Sequence, residues 1–197
     1  MTECDRLLTV SRRIRVVGVS GSGKSVLAAR VAERTGLARL ELDAVFWDAG
    51  WRMRDLDEAR GLVRRFVADY PDGWVVDGNW TTRLGELLDV GMPDGADTVV
   101  WLDLPRTRVL RQVVARTVRR GLRHEELWHG NRERLGNLLR RDPERNIVRW
   151  AWTNHPVIRA RMLARIAAGE DIVRLCTRAD VDAWIASLPA RGRSVDP

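Results

Sequence analysis

Apolar residues come in short bursts separated by longer amphipathic stretches, and this alternation runs the length of the chain. Residues 14–17 (Ile-Arg-Val-Val) make a short β-branched run that predicts a buried strand. A glycine-rich loop follows at once, then residues 25–35 read as a helix closed by Gly36. Residues 38–42 predict a second strand ending at Asp43. Residues 55–70 space Leu56, Ala59, Leu62, Val63, Phe66 and Val67 as one face of a helix. Residues 74–76 predict a third strand ending at Asp77, and residues 98–102 a fourth ending at Asp103. Pro105 then opens a helix running to about Arg120. Residues 172–175 predict a fifth strand, followed by a last helix over 181–188.

Strands alternating with helices imply an α/β fold whose parallel sheet is covered on both faces. Ligands of such sheets sit beyond the carboxyl ends of the strands. Asp43, Asp77 and Asp103 fall at those ends, where a metal–triphosphate would lie. Residues 121–146 break the rhythm. They hold Arg123, Arg132, Arg134, Arg140, Arg141 and Arg145 with few apolar runs, and read as a mobile covering segment, a lid. The chain reads as one domain over residues 1–188, with a disordered tail over 189–197.

Composition narrows the picture. The apolar runs are far shorter than the roughly 18 residues of a membrane span, and the first 13 residues lack the apolar core of a secretion signal. Cys4 and Cys176 lie too far apart to suggest a disulfide or metal framework, so a cytoplasmic, monomeric protein is expected. The net charge of +7 suits a phosphate-rich ligand or nucleic acid. Of 34 basic residues, only Lys24 is a lysine. A chain that writes arginine everywhere else keeps lysine where a compact ammonium on a flexible stem must reach phosphate oxygens.

That lysine lies in Gly18-Val19-Ser20-Gly21-Ser22-Gly23-Lys24-Ser25, a full match to G-x-x-x-x-G-K-[ST] between a predicted strand and helix. Its glycines let backbone N–H groups converge on phosphate oxygens at a helix N-terminus. The motif predicts ATP bound by the loop, with Lys24 on the β- and γ-oxygens and the Ser25 hydroxyl on Mg²⁺. Asp77 is the candidate acidic partner of that metal; the alternative is a turn residue before Gly78. Asp43 is equally readable as a group orienting an acceptor hydroxyl or as a helix cap. Asn79 is a weaker acceptor-site candidate. Arg116 and Arg120, one helical turn apart, are the best candidates for arginines that close over a transferring phosphoryl group. Trp47, Trp51 and Trp80 fall on the acceptor side, where packing is the commoner use; Trp150 and Trp152 are expected in the core. No metal site is expected at His124, His129 or His155.

The phosphate loop, the strand ending in Val75-Val76-Asp77-Gly78, and Trp101-Leu102-Asp103-Leu104-Pro105 leading into an arginine-bearing helix resemble the adenylate-kinase-like small-molecule kinases among P-loop NTPases. Leu42-Asp43-Ala44-Val45-Phe46-Trp47 and Trp74-Val75-Val76-Asp77-Gly78-Asn79 resemble, more closely, proteins labelled DNA topology modulation protein. The resemblance implies a three-layer fold with a five-stranded parallel sheet of order 2-3-1-4-5, an arginine-rich lid, and phosphoryl transfer from Mg-ATP to a small acceptor. Asn79-Trp80 replaces the Phe-Pro-Arg of true adenylate kinases, which speaks against AMP as acceptor. A nucleotide-dependent regulator acting on DNA is the second reading, carried by the basic charge without a recognisable DNA-binding motif.

Overall fold

The computed structural model describes residues 12–133, 135–136, 142 and 146–191. Strands β1 (Arg13–Val17), β2 (Ala38–Glu41), β5 (Trp74–Asp77), β6 (Thr98–Leu102) and β7 (Ile172–Leu175) form a wholly parallel sheet in the order β2-β5-β1-β6-β7. Counted among themselves, these five strands run 2-3-1-4-5. The chain numbering differs because a two-stranded hairpin, β3 (Trp47–Asp48) with β4 (Arg52–Met53), intervenes and was not foreseen. With two residues per strand, it is too short to show any period.

Alternate strand residues serve opposite faces of the sheet, and both faces are covered. Val75, Val100 and Leu102 pack with Leu27, Ala28 and Val31 of helix α1 (Lys24–Thr35) and Ile185 of α7 (Arg178–Ser187). Their neighbours Trp74 and Val76 pack instead with Ala59, Val63 and Val67 of α3 (Leu56–Asp69). Val99 and Trp101 face Met162 of α6 (Ile147–Ala167). This double burial explains why the strands read as continuous apolar runs. Among the charged strand residues, Arg15 has its side chain fully buried in the sheet, and its guanidinium donates to Asp89 at 2.8 Å. Breaking such a pair strands a charge, typically costing about 3–5 kcal/mol.

The helix ends follow sequence signals. Asp55 caps α3 by accepting from the amides of Asp57 and Glu58 at 2.9 and 3.1 Å, and Gly36 closes α1 in the left-handed conformation. Thr177 and Asp180 form a reciprocal capping box on α7. Helix α5 (Arg106–Arg123) begins after Pro105 as expected but runs three residues past Arg120. Helix α6 carries Pro156, which cannot donate to the carbonyl of Trp152. Arg106 does so in its place at 2.7 Å, with its guanidinium over the Trp152 ring. Trp150 and Trp152 are 42% and 47% exposed, so their expected place in the core is corrected: they lie on the outer face of α6. Among the described residues, no helix is long and apolar enough to cross a membrane. Of the segment 189–197, Arg191 is held by its amide on the Arg34 carbonyl at 2.7 Å, and residues 192–197 lie outside the described residues.

Candidate functional site

The loop from Gly18 to Ser25 joins β1 to α1 at the carboxyl end of the sheet, where strand order turns. Gly18 and Gly21 have no room for a side chain. A Cβ on Gly21 would lie 2.0 Å from Val113 of α5, and one on Gly18 would lie 2.7 Å from the Ser22 hydroxyl. Both also have positive φ, at 84° and 149°. Helix α1 has no side-chain N-cap, so its first-turn amides are left for another acceptor. Ser22 is buried, and its hydroxyl has no partner. Lys24 is half-buried and donates to the Val19 carbonyl at 3.2 Å. Desolvation pushes its ammonium below the ordinary lysine range, while Asp43 and Asp77 pull it back up and Arg116 pushes it further down. A backbone cradle, open helix amides and an under-neutralised cation fit a polyphosphate.

Opposite the loop stand three carboxylates. Asp77, last in β5, accepts from the Ser25 hydroxyl at 2.8 Å and from Arg39 at 3.3 Å. Burial lifts its pKa to about 6; the Ser25 bond opposes this, and neighbouring Glu41 adds to it. Glu41 ends β2 in direct register with Asp77 and accepts from Arg39 at 2.5 Å. The pairing of Asp77 with Ser25 fits a shared divalent ion with phosphate oxygens completing its shell. Among the described residues, no group of three or more His, Cys, Asp or Glu could hold a metal unaided.

Asp43 is not at a strand end, as expected, but in the first turn of the short helix α2 (Leu42–Phe46), because β2 stops at Glu41. One of its oxygens accepts from the Trp80 indole at 2.7 Å. That indole is fixed by stacking on Phe46, with centroids 4.5 Å apart, and by an edge contact with Trp47. Asp103, just past the end of β6, is taken up by Arg174 at 2.5 Å and Arg159 at 3.3 Å.

The arginine candidates diverge. Arg116 reaches toward the loop, 3.5 Å from the Ser20 hydroxyl, and desolvation pushes its pKa down, with Arg120 adding to the effect. Arg120 is held instead by Glu133 at 2.9 Å and Glu125 at 3.5 Å. Within the expected lid, Gly121–Arg123 belong to α5, while Arg134, Arg140, Arg141 and Arg145 lie outside the described residues. The part between, expected to be loose, is docked. Trp128 donates to Glu41 at 2.7 Å, and His129 bonds the Ala44 carbonyl. Asn131 bridges the Trp51 amide and the Asp48 carbonyl at 2.8 and 2.9 Å. Trp51 and His129 both have positive φ near 57°, a strain of order 1–3 kcal/mol each that these contacts must offset.

Sequence reasoning missed Glu41 and Trp128. The signal for Glu41 was its place one residue before a mispredicted strand end. For Trp128 there was none, since its partner lies 87 residues away.

No curated protein matches the chain significantly. A shikimate kinase from Bacteroides thetaiotaomicron superposes with a TM-score of 0.50 at 12% identity, covering 89% of this chain and 94% of that one, a likeness of fold. A sugar kinase from Janibacter sp. HTCC2649 (24% identity, TM-score 0.34) covers 53% of this chain, which spans 66% of that protein. A gluconokinase from Sinorhizobium meliloti 1021 (23% identity, TM-score 0.40) covers 55% of this chain and 67% of that one. The family model described as an AAA domain, AAA_33, matches residues 14–189. With that match spanning nearly the whole chain, and with a phosphate loop at the turn of a 2-3-1-4-5 sheet, the protein belongs to the AAA_33 family.

Proposed function

We propose that the protein is a kinase that transfers the γ-phosphoryl group of Mg-ATP to a hydroxyl of a small acceptor. The observation that carries this reading is the chain's single lysine, half-buried at the loop and within electrostatic reach of Asp43 and Asp77. Mg-ATP supplies the phosphoryl group and the divalent charge that polarises it. The loop amides and Lys24 would hold the phosphates, and Ser25 with Asp77 would hold the metal. Arg116 stabilises charge that develops during transfer. Asp43 orients the acceptor hydroxyl and takes its proton through the oxygen that Trp80 leaves free. The docked segment around Trp128 covers the acceptor side and limits water access, which favours transfer over hydrolysis.

The test is ADP release from Mg-ATP, alone and with nucleoside monophosphates, nucleosides, sugar acids, shikimate and duplex DNA. Stimulation by one small acceptor is expected, with turnover lost in Lys24→Ala and the fold retained. Wild-type turnover in Lys24→Ala would remove the proposed site. Stimulation by DNA alone would replace transfer with a regulator acting on nucleic acid.

A further inference from the structure

Asn79 follows Asp77 and Gly78 at the carboxyl end of β5, and its side-chain amide is used in both directions on one residue. The Gly18 amide donates to Asn79 Oδ1 at 3.1 Å, and Asn79 Nδ2 donates to the Gly18 carbonyl at 2.6 Å. A planar amide that bonds both backbone groups of one residue fixes that residue's plane as a strand partner would. Two residues earlier, Asp77 accepts from Ser25 at 2.8 Å. The phosphate loop begins at Gly18 and ends at Ser25, so Asn79 and Asp77, two residues apart at the end of β5, hold its two ends.

The connecting Gly78 cannot drift. Its amide donates to the Val16 carbonyl at 3.2 Å, and a Cβ there would lie 2.8 Å from Leu42. Gly18 is equally confined, since the Leu102 carbonyl and the Ser22 hydroxyl crowd the place of its missing side chain. The loop's curvature, on which its amides' convergence depends, is thus tied to the strand that carries Asp77.

We infer that Asn79 is a positioning residue: its amide clamps Gly18 and sets the phosphate loop's shape for nucleotide binding. It does not serve as an acceptor contact. The inference rests on the proposed function for the ligand's identity, but the clamp itself can be read without nucleotide.

The experiment uses the full chain as wild type, Asn79→Ala, Asn79→Asp and Lys24→Ala. It measures hydrogen exchange at the Gly18 amide without ligand, calorimetric affinity for Mg-ADP, and the melting midpoint. Asn79→Ala is expected to speed Gly18 exchange, to weaken Mg-ADP binding about tenfold, and to lower the melting midpoint by about 2–8 °C through the loss of one to two hydrogen bonds from the unliganded fold. Asn79→Asp keeps an acceptor for the Gly18 amide. It is expected to preserve slow exchange yet bind Mg-ADP more weakly still, because a carboxylate then stands beside the loop. Unchanged Gly18 exchange and unchanged affinity in Asn79→Ala would overturn the clamp. Wild-type affinity in Lys24→Ala would overturn the nucleotide site instead, leaving Gly18 exchange to decide the clamp. If Asn79→Ala does not fold, Asn79→Asp carries the decision: affinity equal to wild type there overturns the role.

Discussion

Asp77 sits in β5 with almost none of its side chain exposed, and burial is the main reason its pKa rises from the ordinary 3.8 to about 6. Between those values the folded protein holds a proton that the unfolded chain releases. Stability therefore falls as pH rises from about 4 to 6, and above that the folded state carries the full cost of a buried charge. The gap is worth roughly 3 kcal/mol before relaxation. Asp77→Asn keeps an oxygen for the Ser25 hydroxyl and removes the charge. Without ligand, it is expected to melt higher than the parent at pH 8, by about 1–3 kcal/mol in stability, with the advantage disappearing near pH 4. Thermal melts at the two pH values check this; an advantage of equal size at both would place its origin in packing. A group kept at such cost is what a cation-binding position requires, and the paired residue Ser25 was legible in the sequence because it belongs to a contiguous motif. The rise in Asp77's pKa was not legible. It comes first from burial in the sheet, to which Glu41 adds through the register of two strands.

Elements were read well where their signals are local. Short apolar runs place all five strands of the main sheet within one residue of their ends, β2 being one residue shorter than its run suggests. That single residue mattered, because it put Asp43 at a strand end when it belongs to a helix. The hairpin β3–β4 and the docking of residues 125–133 on it depend on partners far away in the chain, so no periodicity could announce them. Their union is a sum of modest contacts: one indole bond to Glu41, one asparagine bridge, and the edge contact of Trp51 with Trp128. Trp128→Phe preserves a ring against Trp51 and deletes the bond. It is expected to cost about 1 kcal/mol locally, to speed exchange of the Leu127 amide, which donates to the Asn131 carbonyl at 2.7 Å, and to leave Mg-ADP affinity intact. A loss of nucleotide affinity instead would show that the segment acts on the phosphate side.

At the scale of the whole molecule, 34 basic residues against 27 acidic leave a surplus that says little by itself. The structure divides it. Arg15, Arg39, Arg120, Arg159, Arg165 and Arg174 are engaged with carboxylates; each such pair cancels one charge of either sign, so the surplus falls to arginines outside these pairs. What distinguishes the site is the kind of cation more than its amount. Guanidinium groups stay protonated at any ordinary pH, whereas burial makes the one ammonium in the chain easier to deprotonate. Apart from the chain's own terminal amine, Lys24 is therefore the sole amine nucleophile in the protein, and burial shifts it toward its reactive free-base form. An acylating reagent should label Lys24 and the terminal amine, and bound Mg-ATP should shield Lys24 alone. Mass spectrometry of the intact chain would then count occupied phosphate loops directly, one acyl group at a time.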